Sequence, residues 1–148
     1  GDIEKVSIAA LLHDIAKEQS DAEMRDLIIS ENLNLNLLKY GNEIWHGPVG
    51  AILAEREFLI ENETILDSIR QHTVGGRNMT LTAQIVFVAD YIEEGRTFSK
   101  VDKARELAKH SLKEAIKYKL KETMKHLISI EEKIFPATIE SYNSWISK

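Results

Sequence analysis

Five consecutive apolar residues, Ile8-Ala9-Ala10-Leu11-Leu12, run straight into an imidazole and a carboxylate, His13-Asp14. A helical stretch this apolar belongs in a core. A neutral polar side chain left unpaired there costs roughly 2–7 kcal/mol, and a charged one costs more. A divalent cation removes that penalty, because histidine and aspartate are both ligands for it. The chain supplies partners of the same kind downstream: His46 after Trp45, His72 before Thr73, and Asp90 closing Ile85-Val86-Phe87-Val88-Ala89. One such intrusion is common; a set of them points to a site.

Two prolines and seven glycines in 148 residues favour long helices with short connections over an all-β design. The length suits one domain with a substantial core, and neither an internal repeat nor a linker interrupts it. Apolar periodicity predicts a helix over 3–17. Ser20-Asp21 reads as the N-cap region of a second helix running from 22 to 30. Residues 32–38 form a short helix or turn. Pro48 opens a helix over 49–58, where its missing N–H needs no partner. Further helices follow over 61–71 and, capped by Thr80 and closed at Gly95, over 81–93. Helical periodicity extends from 101 to 130 with a break near Lys109-His110, and a last helix covers 138–146 after Pro136. The expected fold is all-α, a single compact helical bundle over 1–148.

Composition narrows the function. With no cysteine, any metal must be held by imidazole, carboxylate and water. A net charge of −5 argues against a general nucleic-acid binder. The apolar runs fall far short of the ~20 residues that span a bilayer, and no signal peptide is visible, so a cytoplasmic protein without a membrane partner is expected.

In such a bundle His13-Asp14, His46, His72 and Asp90 fall at four helix ends, where each return of the chain brings a ligand to a common centre. The competing reading is a set of core histidines bonded to backbone carbonyls. His110 and His126 lie on the lysine-rich helical stretch and read as surface or structural. Residues 109–125 read as a solvated face, and Trp45 and Tyr91 as packing residues.

Leu11-Leu12-His13-Asp14-Ile15-Ala16-Lys17 resembles the signature of the HD superfamily of metal-dependent phosphohydrolases. Three further blocks resemble the YqeK family of symmetrical bis(5′-nucleosyl)-tetraphosphatases, which split diadenosine tetraphosphate into two ADP. They are Trp45-His46-Gly47-Pro48-Val49-Gly50-Ala51, Ile69-Arg70-Gln71-His72-Thr73, and Val86-Phe87-Val88-Ala89-Asp90-Tyr91-Ile92-Glu93-Glu94-Gly95-Arg96. The resemblance runs from position 6 to about 107. It implies that His13, Asp14 and Asp90 are metal ligands, with iron the metal expected and manganese, cobalt or zinc the alternatives. It implies substrate contacts from Asp14, Ile15, Ala16, Lys17, His46, His72, Thr73, Asp90 and Arg96, with Asp14 and Lys17 catalytic. His46 and His72 then bind either a second metal or phosphate oxygens; phosphate is the preferred reading. The partners implied are a small dinucleotide substrate and its ADP product, and a homodimer.

The chemistry fits those residue types. A bound cation polarises a phosphoryl oxygen and lowers the pKa of water toward ~7. Lys17, at i+4 from His13, shares its helical face. Arg96 offers a planar fork to phosphate. The sequence departs from the family at two places. HD enzymes carry another histidine on an upstream helix, whereas none of the twelve residues before His13 is histidine, so the sequence is expected to lack an N-terminal helix. The loop Val74-Gly75-Gly76-Arg77 also shifts the family's basic residue, leaving the role of Arg77 open. Two functional alternatives stay in view: another HD-type nucleotide phosphohydrolase, and a non-catalytic regulatory module that binds nucleotide.

Overall fold

Side-chain caps set the starts of four α-helices in the computed structural model, which describes residues 2–93 and 98–148. Among the described residues it contains eight α-helices and two short 3-10 helices. The helices are α1 (Asp2–Leu12), α2 (Asp21–Ser30), α3 (Asn42–Phe58), α4 (Glu63–Arg70), α5 (Leu81–Glu93), α6 (Phe98–His110), α7 (Leu112–Ser129) and α8 (Pro136–Ile146). Ser20 and Glu23 close a reciprocal capping box at α2. The Asn62 side chain accepts from Ile65 N at the start of α4, and Thr80 Oγ1 accepts from Ala83 N at α5. Ser111 caps α7 by accepting from Glu114 N, which puts the break in the long lysine-rich stretch where the sequence places it.

Several helix boundaries differ from the sequence reading: α4 is shorter at both ends than 61–71, and α6 starts at 98 and not 101. The helix expected over 3–17 stops at Leu12, and Ile15–Glu18 tightens into a 3-10 turn. The His13 ring Nδ1 lies 2.6 Å from Ala10 O, so a side chain takes a carbonyl that the helical ladder would have used. Pro48 lies inside α3 and does not open it. Burial of Trp45, whose Nε1 donates to Leu37 O at 2.7 Å, holds the extra turns in place despite the N–H that Pro48 withholds from Ile44. Pro136 is the first residue of α8, which therefore starts two residues before the expected 138.

Four apolar clusters assemble the bundle among the described residues, the smallest joining Tyr91 of α5, Ala104 of α6 and Tyr118 of α7. Met24, Ile28, Leu37, Trp45, Val49 and Leu53 join α2 and the 3-10 helix Leu35–Lys39 to α3. Ala9, Ala51, Leu66, Ile69 and Val86 lock α1, α3, α4 and α5 together. Phe87, Val88, Ile116, Leu120 and Trp145 pack α5 against α7 and α8. Gly47 is required by the α3–α4 contact, because a Cβ there would collide with the carbonyl of Arg70 at the end of α4. That approach brings the turn after α4, which carries His72, against the break after α1.

Candidate metal centre and nucleotide cavity

Each polar residue of the centre is held by a second partner that aims it. His13 Nδ1–H donates to Ala10 O, leaving Nε2 to face 3.1 Å from Asp14 Oδ2 and 3.3 Å from Asp90 Oδ1. His72 repeats the device: Nδ1–H donates to Ile69 O at 2.7 Å, and Nε2 lies 3.9 Å from Asp14 Oδ1. The two imidazoles meet edge to face, with centroids 5.0 Å apart. Lys17 Nζ sits 3.3 Å from Asp14 Oδ1, reached across the 3-10 turn and not along a continuous helix.

Asp90 is 8% exposed and has an anchor that sequence reasoning missed. Lys119 Nζ, from α7, lies 3.6 Å from Asp90 Oδ2 and donates to the carbonyls of Phe87 (2.6 Å) and His72 (3.2 Å). One buried ammonium thus ties α7 to α5 and to the turn after α4.

The electrostatics follow from this packing. Burial pushes the Asp90 carboxyl up, but the His13 hydrogen bond and the Lys119 charge outweigh it and hold it at about 2. The bond to Asp90 raises His13 above its ordinary value, against the opposing effect of burial. Burial takes His72 down to about 4, and burial, then the Lys17 cation, lowers His46. His46 and His72 are therefore neutral imidazoles at neutral pH.

One ligand atom each from His13, Asp14 and Asp90 lies within 4.8 Å of the others. An imidazole and two carboxylates converging at that separation, with the far side of His13 and of Asp90 already engaged, form a donor set that fits a divalent cation. Beside them opens a cavity of about 610 Å³, lined by Asp14, Lys17, His46, His72, Thr73 and Asp90 among others. Ala16 is fully buried and Ile15 packs against the same apolar cluster, so neither lines the cavity. Arg96 lies outside the described residues.

The model for the HD domain matches residues 1–95. The symmetrical bis(5′-nucleosyl)-tetraphosphatase of Bacillus subtilis (strain 168) is 42% identical over 146 residues, 99% of this chain and 78% of that protein. The chain belongs to this HD-domain family. A second family member, the symmetrical bis(5′-nucleosyl)-tetraphosphatase of Staphylococcus aureus, is 39% identical over 97% of this chain and 75% of its own length. The crystal structure of a predicted HD superfamily hydrolase involved in NAD metabolism from Clostridium acetobutylicum superposes with a TM-score of 0.86 at 35% identity, covering 97% of this chain and 77% of that one. HD domains bind divalent metals, and in this HD chain two members of the cluster that fits one, Asp14 and Asp90, line the cavity.

The cavity also draws on α7, which the sequence presents as a solvated lysine-rich face. Lys119, Glu122, Thr123 and His126 line it, at the i, i+3, i+4 and i+7 spacing of one helical face. His126 is thus part of the cavity wall. That mixed polar stripe was the available signal, and the surrounding lysines masked it.

Proposed function

We propose that this protein is a metal-dependent hydrolase that cleaves diadenosine tetraphosphate symmetrically into two ADP. The observation that carries the reading is the convergence of His13, Asp14 and Asp90 beside a cavity that also presents Lys17, His46 and His72. The two family members described above are named for this activity.

In this reading His13, Asp14 and Asp90 hold the ion, iron being the metal proposed. When bound it supplies Lewis-acid polarisation of a phosphoryl oxygen and acidifies water. Lys17, paired to Asp14, directs its ammonium at the polyphosphate, where charge grows as the bond breaks. Neutral His46 gives a ring N–H to a phosphate oxygen, whereas His72, whose Nδ1–H is taken by Ile69 O, presents the Nε2 lone pair and meets phosphate through a second cation. Thr73 Oγ1, buried without a hydrogen-bond partner, has a proton to give to a phosphate oxygen. Arg96 completes the proposed contacts. The water oxygen bonds to an inner phosphorus, the central bridging P–O bond breaks in line, and the leaving ADP carries the charge away. Little acid assistance is needed for such a leaving group. A cytoplasmic homodimer acting on this small molecule, without nucleic acid, completes the reading.

The test is incubation of iron-, manganese- or cobalt-loaded protein with diadenosine tetraphosphate and chromatography of the products. ADP as the sole product is expected. AMP with ATP contradicts symmetric cleavage, and no turnover with any of the metals removes the hydrolase reading.

A further inference from the structure

Among the described residues, two buried side-chain polar atoms have no hydrogen-bond partner, and both residues line the same cavity: Thr73 Oγ1 and Glu122 Oε2. Thr73 sits beside His72, but Glu122 is on α7, in the wall formed with Thr123 and His126. Glu122 is only 9% exposed. Its nearest cations, Lys125 Nζ at 3.6 Å and Lys100 Nζ at 3.9 Å, support its charge but stand too far to hydrogen-bond. A buried carboxylate oxygen whose lone pairs accept no hydrogen bond is costly unless a ligand supplies the donor.

The chemistry of that ligand is restricted. A carboxylate only accepts, and it repels other anions. The polyphosphate of a dinucleotide offers acceptors and negative charge, so it cannot sit against Glu122. Of the groups that suit it, Lys17 and His46 line the cavity near the metal cluster, while Lys100, which also lines it, is already paired with Glu122. What remains of the substrate is the nucleoside, whose uncharged donors are ribose hydroxyls and the exocyclic amine of the base. We propose that Glu122 is the specificity-determining acceptor of a nucleoside subsite on α7, taking a hydrogen bond from one of those donors. This rests on the dinucleotide reading above. It assigns the cavity a polarity, with phosphates toward Lys17 and a nucleoside over Glu122, Thr123 and His126.

Calorimetric titration with metal removed by chelator, so that nothing is turned over, tests the subsite. The ligands are diadenosine tetraphosphate and its counterparts built from 2′-deoxyadenosine, 3′-deoxyadenosine and N6,N6-dimethyladenosine. Wild type is expected to bind the parent about tenfold more tightly than one of these, the value of one hydrogen bond to a charged group. The weakened analogue identifies the donor. Glu122→Gln, with an unchanged helical spectrum, is expected to cut that preference to about threefold or less, and Glu122→Ala to abolish it. Equal wild-type affinity for all four ligands overturns the proposal and needs no variant. So does full discrimination retained by either variant, or failure of both to fold, which would assign Glu122 to the core. Metal-restored turnover reports separately. Hydrolysis with Glu122-independent discrimination removes only the subsite, whereas Glu122-dependent discrimination without hydrolysis removes only the hydrolase reading.

Discussion

Asp90 shows most plainly how single residues make this centre. Its carboxylate is divided between two tasks, Oδ1 facing His13 and Oδ2 facing Lys119. Removing the ammonium leaves a buried charge short of its partner and two carbonyls short of a donor. Lys119→Met is therefore expected to destabilise the metal-free protein by about 3 kcal/mol, measured by chemical denaturation. An unchanged midpoint would show that the ammonium contributes nothing there. His13, Asp14 and Asp90 were legible in the sequence because each interrupts an apolar run, where a polar group needs a reason. Lys119 and Glu122 were not, because a charged residue on a charged helix is unexceptional until the neighbour that buries it is known. The placement of Ile15 and Ala16 away from the cavity was hidden by the helix break.

At the scale of elements, the centre depends on where helices stop and how closely they pass. Periodicity located the helices among the described residues but did not show that α1 ends at Leu12, since a histidine bonding its own helix carbonyl leaves no trace in hydrophobic spacing. Nor did it show that α3 runs through Pro48, which tertiary burial of Trp45 enforces. Gly47 makes the α3–α4 crossing possible, and a methyl group there must displace the Arg70 backbone. Gly47→Ala is expected to destabilise by about 1–3 kcal/mol in guanidinium unfolding and to weaken metal binding through the shifted His72 turn. Wild-type stability and metal affinity would contradict that coupling. At the start of α2, Ser20→Ala removes half of a capping box and should cost about 1 kcal/mol without touching metal binding.

For the whole molecule, the centre links stability to pH and to metal. His72 is buried neutral with its pKa at about 4, so between the ordinary histidine value of 6.5 and 4 the unfolded chain binds a proton that the folded one refuses. Stability of the metal-free protein should therefore fall as pH drops through that window, by on the order of 3 kcal/mol. His72→Gln should flatten the profile there, as followed by denaturant midpoints in chelator. A cation that binds only the folded chain adds about 2.7 kcal/mol at a hundredfold excess over its Kd. The most direct measurement is anomalous scattering from crystals grown with iron or manganese. One peak within about 2.0–2.3 Å of His13 Nε2 and of carboxylate oxygens from both Asp14 and Asp90 is the result predicted. A peak that leaves either aspartate uncoordinated, or metal found only elsewhere on the surface, would contradict the account.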